Sequence, residues 1–341
     1  MSNVSSDLLT GLLKDVSRTF YKTLRVLPSA IRPQIGLAYL LARTTDTIAD
    51  TDIVSRENRL DALTLLRERI LNTGKTSPLQ FERLAEKQTS GAEKTLLLRS
   101  EESVKILSTF SEADQERVRD VLKTIISGQE LDLNRFAAGT ATNIVALTND
   151  AELDDYTYRV AGCVGEFWTK MCRAHLFPNA PLDYDLLIRN GVRFGKGLQY
   201  VNILRDLPKD LRQGRCYLPK DTLQAAALKP SDLLLPEVEA RFRPLYNNYL
   251  DRCEAHLAVG WSYTNSLPRN QLRVRLACAW PVLIGVKTVE KLRRENPLDA
   301  TKRIKVGRDE IRSIIVNSIA LLPFRRHWEG QYHLPEAPFG K

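Results

Sequence analysis

The stretch LAYLLARTTDTIAD, Leu37 to Asp50, begins apolar and closes on two aspartates four residues apart, Asp46 and Asp50. On a helix that spacing stacks both carboxylates on one face, one turn apart. A second stretch repeats the arrangement: Gly191 to Leu204 is predominantly apolar and runs into NILRDLPKD, with Asp206 and Asp210 again at i, i+4. On an exposed helix a like-charge pair costs only about 0.2 to 0.5 kcal/mol and means little. Here the apolar company predicts that both pairs sit on core helices, where two carboxylates about 6 Å apart repel by roughly 3 kcal/mol at an effective dielectric of about 20. The two acidic faces are expected to meet across an apolar cavity, with cations offsetting the repulsion.

The chain around these stretches reads as helix almost throughout. Leu8 to Leu41 shows helical spacing with a break at Pro28 and Pro33, and Leu60 to Leu71 repeats it. Val104 to Ser127, Leu182 to Asp210, Ala240 to Gly260, Leu272 to Arg294 and Asp309 to Leu321 follow, while strand-like alternation is hard to find. The prediction is an all-α fold of about ten or more helices, a single bundle with a central apolar cavity. No linker rich in Gly, Ser or Pro divides the 341 residues, so one domain over 1–330 is expected, followed by an irregular tail at 331–341 with Pro335 and Pro338.

Composition narrows the function classes. Apolar residues at 43% and charged residues at 27%, with 17 Gly and 16 Pro, exclude collagen-like and low-complexity chains. Fifty Lys and Arg against 41 Asp and Glu leave a net charge of +9, which favours anionic partners. Five cysteines without a CxxC pair suggest free thiols in a reducing cytosol. The first fifteen residues do not read as a secretory signal, and the apolar run Ile314 to Leu322 falls short of a membrane span. A cytoplasmic protein, peripheral to a membrane at most, is the expectation.

Oxygen ligands with room for water describe Mg²⁺, held by a few carboxylates and by substrate phosphates. Asn202 adds a carbonyl oxygen on the face of Asp206, and Arg43 and Arg205 lie within a turn of the carboxylates, suited to diphosphate oxygens. Pro208 lacks an N–H and forfeits the bond to the carbonyl of Leu204, which predicts a kink between Asp206 and Asp210 and leaves Asp210 the less secure ligand. The four histidines form no zinc motif, and neither GxxxxGK[ST] nor GxGxxG occurs. The net charge also motivates a basic helical nucleic-acid-binding module, but no RNP motif or zinc-finger spacing supports one, and such a module leaves the aspartate pairs unexplained.

At these residues the chain resembles the squalene and phytoene synthase family, the head-to-head prenyltransferases. SRTF (Ser17 to Phe20), YLLARTTDTIAD (Tyr39 to Asp50), YTYRVAGCVG (Tyr156 to Gly165), QYVNILRDLPKD (Gln199 to Asp210) and GRCYLP (Gly214 to Pro219) follow in the family's order. The resemblance implies an isoprenoid-synthase fold and an Mg²⁺ cluster on Asp46, Asp50, Asn202, Asp206 and Asp210, with Asp46 and Asp206 central to catalysis. It further implies contact of Ser17, Arg18, Phe20, Tyr39, Arg43, Gln199, Arg205 and Arg215 with substrate or its diphosphate pocket. Tyr156 matches the tyrosine implicated in the proton and cation steps; a phenol of pKa about 10 is a poor base at neutral pH, so a hydrogen-bonding or cation-stabilising role is equally open.

DTIAD, the block Cys278 to Pro281 and the basic run Lys302 to Arg308 are similar to squalene synthases, which implies NADPH phosphates on Lys302, Arg303 and Lys305. Thr51, Ala49 and Lys209 depart from the acidic residues of eukaryotic members, and their C-terminal anchor is absent, which suggests a prokaryotic-type enzyme. The implied reaction joins two farnesyl diphosphates to presqualene diphosphate and reduces it with NADPH to squalene. The alternatives are phytoene from geranylgeranyl diphosphate, or dehydrosqualene or hydroxysqualene without the reduction. Peripheral membrane contact for product release is a further implication.

Overall fold

Caps written into the sequence start and stop the long helices. In this computed structural model, which describes residues 7–17, 20–72 and 78–332, the eight helices of fourteen or more residues among those described are labelled α1 to α8. They are α1 (Arg32–Ala49), α2 (Arg56–Leu71), α3 (Glu112–Arg135), α4 (Cys163–Leu176), α5 (Tyr184–Arg212), α6 (Glu239–Ser266), α7 (Leu272–Arg294) and α8 (Arg308–Leu321). Pro33 stands in the first turn of α1, where its missing N–H costs nothing. The side chains of Ser55, Ser111 and Asp183 accept from the backbone N–H groups of Asn58, Asp114 and Leu186 and so open α2, α3 and α5. Asn72, at φ 56°, closes α2 in the left-handed conformation that Asn tolerates.

The described chain is helical nearly throughout, as the sequence predicts. Val104 to Ser127 is not one helix, however: a helix over Ser100–Leu107 ends before Ser108, and α3 restarts at Glu112 under the Ser111 cap. Two short parallel strands, β1 (Val145–Ala146) and β2 (Arg215–Cys216), pair in the register Val145 to Arg215 and Ala146 to Cys216. Among the described residues no helix is long and apolar enough to cross a membrane. Residues 333–341 of the expected tail, and Arg18, lie outside the described residues.

The chain divides into two compact units, Met1–Ala137 with Glu166–Ala180 and Ala138–Gly165 with Pro181–Lys341, so that the boundary falls inside α4. In the first unit α1 packs against α2 and α3, burying Leu37, Leu40, Leu41 and Ile48. The buried carboxylate of Asp114 accepts from Gln34 at 3.1 Å and from Arg117 at 2.9 Å, and lies 2.8 Å from Nε2 of His175. A buried charge is tolerable only when paired in this way.

In the second unit α5 packs against α6 and α7, and the Trp280 indole donates to the Ser318 hydroxyl at 2.8 Å, tying α7 to α8. A Cβ on Gly195 would fall 2.2 Å from the carbonyl oxygen of Ala161, so here the turn Tyr158–Gly162 presses backbone to backbone on α5. That close approach sets Tyr156 beside Gln199. At the end of α5, Gly214 takes φ +78° and turns the chain into β2, which fixes the backbone of Arg215.

Candidate functional site

The two aspartate pairs occupy different units. In the first, α1 carries Tyr39, Arg43, Asp46 and Asp50 along successive turns, with Asp46 in the last turn and Asp50 at the C-cap. Asp46 accepts a short hydrogen bond from Gln129 of α3, and the Arg43 guanidinium stands 4.0 Å away. Arg43 is held more closely by Glu93, at 2.5 Å, and its Nε is buried without a hydrogen-bond partner. Burial, and then the like charge of Asp50, push the Asp46 carboxyl up to about 7, against the opposing effects of Arg43 and Gln129. Its side chain keeps 44% of its surface open, so protein crowds around a carboxylate that remains reachable.

The other residues expected of this unit are placed unevenly. Phe20 stacks on Tyr39 with ring centroids 5.2 Å apart, an aromatic pair one turn from Arg43. Ser17 is buried and donates its hydroxyl to the Leu13 carbonyl of its own helix at 2.5 Å. Neither Gln129 nor Glu93 belongs to any motif read from the sequence. They lie 83 and 50 residues from their partners, and no local signal marks them.

In the second unit α5 carries Gln199, Asn202, Arg205, Asp206 and Asp210. Arg205 grips Asp206 with two bonds, Nε to Oδ1 at 3.0 Å and Nη2 to Oδ2 at 2.5 Å, and Arg303 reaches Oδ1 at 3.4 Å. Burial alone would raise the Asp206 carboxyl; the bonds and charge of Arg205, with Arg303 and Lys209, outweigh it and hold the group below the usual carboxylate range. Gln199 bridges its neighbours, accepting from Asn202 at 3.3 Å and donating to the Tyr156 hydroxyl at 3.4 Å. The Tyr156 ring stacks on Tyr217 at 4.6 Å, a residue that sits inside the GRCYLP block without having been singled out there. Arg215 is set by the β1–β2 pairing. Of the basic run, Arg303 meets Asp206, while Lys302 and Lys305 are exposed.

Pro208 does not break α5, which continues to Arg212 and carries Asp210 with it. The Leu204 carbonyl that Pro208 leaves without a helical partner accepts from the Tyr246 hydroxyl at 3.0 Å.

The donor sets fit a divalent ion that binds diphosphate. The crowded Asp46 carboxyl with its raised titration point favours a cation, and the orphaned Arg43 guanidinium nitrogen near it favours an anion. Among the described residues no three His, Cys, Asp or Glu side chains converge as a complete cage. A carboxylate with few protein cations suits an ion such as Mg²⁺, which takes one or two carboxylates and leaves its other positions to phosphate oxygens and water.

The sequence model of the Squalene/phytoene synthase family matches residues 13–310. A bifunctional lycopene cyclase/phytoene synthase of Blakeslea trispora is 29% identical over 219 residues, 62% of this chain and 32% of that protein, so the chain spans about a third of that relative. A presqualene diphosphate synthase of Rhodopseudomonas palustris is 27% identical over 255 residues, 75% of this chain and 77% of that one. Among solved structures, TcSQS in complex with a ligand superposes with a TM-score of 0.76 at 19% identity, covering 98% of this chain and 94% of the other, a likeness of fold.

Proposed function

Since the chain belongs to the squalene/phytoene synthase family of prenyltransferases, we propose that it is a squalene synthase. In this reading it condenses two molecules of farnesyl diphosphate head to head into presqualene diphosphate and reduces that intermediate with NADPH to squalene. Asp46 and Asp50 in the first unit and Asn202, Asp206 and Asp210 in the second are the Mg²⁺ ligands. In this reading residues 1–330 are one catalytic domain. The five cysteines are buried thiols, which supports a reducing, cytoplasmic setting, with the hydrocarbon product leaving at a membrane surface.

The observation that carries this reading is the cluster on α5. Within one unit, α5 carries two hydrogen-bonded groups: Tyr156, Gln199 and Asn202 form one, and Arg205, Asp206 and Arg303 the other. Bound Mg²⁺ would supply Lewis-acid charge to the departing diphosphate, and NADPH the hydride. Arg205 and Arg43 bind and orient diphosphate oxygens through planar, bidentate guanidiniums. Gln199 holds the Tyr156 hydroxyl in place, where the phenol stabilises an allylic cation, and the proton lost as the cyclopropane forms passes to the released diphosphate. Arg303, from the basic run implied to bind NADPH, lies on Asp206, which puts that run beside the second aspartate pair.

The test is to incubate the purified protein with Mg²⁺ and farnesyl diphosphate, with and without NADPH, and identify the hydrocarbon. Squalene formed only with NADPH is the expected outcome. Phytoene from geranylgeranyl diphosphate, or dehydrosqualene as the end product despite NADPH, would replace this reading with a non-reductive one.

A further inference from the structure

Pro208 poses a problem that α5 alone cannot solve. Its nitrogen carries no hydrogen, so the carbonyl of Leu204, four residues earlier, has no helical donor, and the proline ring crowds that same carbonyl. Leu204 is 1% exposed, which keeps water from the acceptor. A buried acceptor in that state is rare in folded proteins. The defect spans the motif itself: Leu204 and Pro208 flank Asp206 on either side, and Asp210 follows Pro208 within the same turn. Any change in the helical turn there alters how Asp206 and Asp210 stand relative to each other.

Tyr246 supplies the missing donor from a different helix. Its hydroxyl, on α6, donates to the Leu204 oxygen at 3.0 Å, and the side chain is fully buried. The ring is held on two sides: Phe242 packs against it at 5.4 Å, and the Arg243 guanidinium lies 5.6 Å from its centroid. Arg243 is itself anchored, donating to the carbonyls of Leu292 at 2.9 Å and Glu295 at 2.7 Å, at the end of α7. Burial pushes the Tyr246 phenol well above its ordinary value, so it remains an O–H donor at any physiological pH. A phenol so fixed is a rigid peg against a turn of helix that lacks one of its own hydrogen bonds.

We propose that Tyr246 is a positioning residue, whose hydroxyl replaces the absent Pro208 N–H and holds the turn of α5 from which Asp206 and Asp210 are presented to the metal. This inference rests on the metal role assigned to those two aspartates above. It makes Tyr246 and Pro208 an energetically coupled pair: the hydroxyl matters only because the proline removed a donor.

The test is a double-mutant cycle of Tyr246→Phe and Pro208→Ala, read by Mn²⁺ binding in the presence of inorganic pyrophosphate, using paramagnetic resonance on the full chain. Tyr246→Phe is expected to weaken Mn²⁺ binding about fivefold in the natural background and less than twofold in the Pro208→Ala background, where a backbone N–H is restored to face the Leu204 carbonyl. A purely structural tyrosine would lower the melting temperature and leave the Mn²⁺ affinity unchanged, and that result overturns the proposal. Equal losses in both backgrounds also overturn it. If Tyr246→Phe alone does not fold, a double variant that folds and binds Mn²⁺ within twofold of Pro208→Ala supports the proposal, and one that binds more than fivefold weaker overturns it. Failure of the natural protein itself to bind Mn²⁺ with pyrophosphate would instead remove the metal role of Asp206 and Asp210, and the inference with it.

Discussion

Asp46 and Asp206 come from aspartate pairs of identical spacing, and the fold gives them opposite electrostatics. Asp46 has one guanidinium 4.0 Å away that is already held by Glu93, an amide donor in Gln129 and a like charge at Asp50. Its carboxyl is pushed up to about 7 by burial and by that neighbour. Asp206 has Arg205 on both oxygens and Arg303 beside them, and is held low although burial opposes it. The first is a carboxylate short of cations, and the second has protein cations in place. On the proposed metal role, the first group would gain most from an ion, whereas the second would share its oxygens between ion and guanidinium.

The largest effect expected from this contrast is on turnover. Asp46→Asn and Asp206→Asn are each expected to lower kcat by at least about 100-fold in the farnesyl diphosphate assay, as loss of a group stabilising leaving-group charge does. Full activity in either variant would remove that aspartate from the metal set.

Stability should separate the two with opposite signs. The folded Asp46 carboxyl titrates near 7 against 3.8 for the unstructured group, so its ionisation penalises the fold at pH above 7, and the penalty is gone below the unfolded value. At pH 8 in EDTA, Asp46→Asn is therefore expected to stabilise the protein by about 1 kcal/mol, once the shift is discounted for the open part of the side chain. Asp206→Asn loses charge-assisted bonds to Arg205 and is expected to cost about 1 to 2 kcal/mol. Urea unfolding of both variants measures this, and destabilisation by both would erase the contrast.

The helices and both pairs were legible in the chain because their signals are local: apolar periodicity, and aspartates spaced to share a helix face. The electrostatic contrast was not, because it depends on partners 83, 50 and 97 residues away, namely Gln129, Glu93 and Arg303. The break before α3 had a local sign in Ser111 and Asp114, a serine followed three residues later by an acid, but the apolar residues on either side kept helical spacing across it. Pro208 announced an orphaned carbonyl without naming its donor; Tyr246 lies 42 residues on from Leu204 and only packing selects it. The dipeptide strands β1 and β2 are too short for alternation to show.

Arg303 links the contrast to the basic run. Lys302→Ala/Lys305→Ala removes two exposed cations and is expected to raise the KM for NADPH about fivefold while leaving presqualene diphosphate formation without NADPH unchanged. Arg303→Ala is expected to raise that KM as well and also to change the Mg²⁺ concentration needed for half-maximal first-step rate, by about twofold, because Asp206 loses a competing cation. If Arg303→Ala behaves as the lysine variant does, the Arg303 contact has no bearing on the metal.

A further effect isolates burial from charge pairing. His256, on α6, stacks on Tyr200 at 5.5 Å and is pushed down to about 4 by burial and then by the positive charges of Arg193 and Lys196, with Asp154 opposing them. Its folded value lies below its unfolded one of 6.5, so its contribution to stability is fully present above pH 6.5 and is lost as the pH falls toward 4. Asp46 acts in the reverse sense over an overlapping window, since its raised carboxyl makes the fold less stable as pH climbs from 3.8 to 7. A single stability profile would blend the two, and a difference profile does not. Natural protein minus His256→Gln is expected to lose about 1 to 2 kcal/mol between about pH 7 and about pH 4, after allowance for the half-exposed ring. A flat difference would mean that the imidazole is protonated within the fold at little cost, and that burial in the second unit penalises charge far less than it does at Asp46.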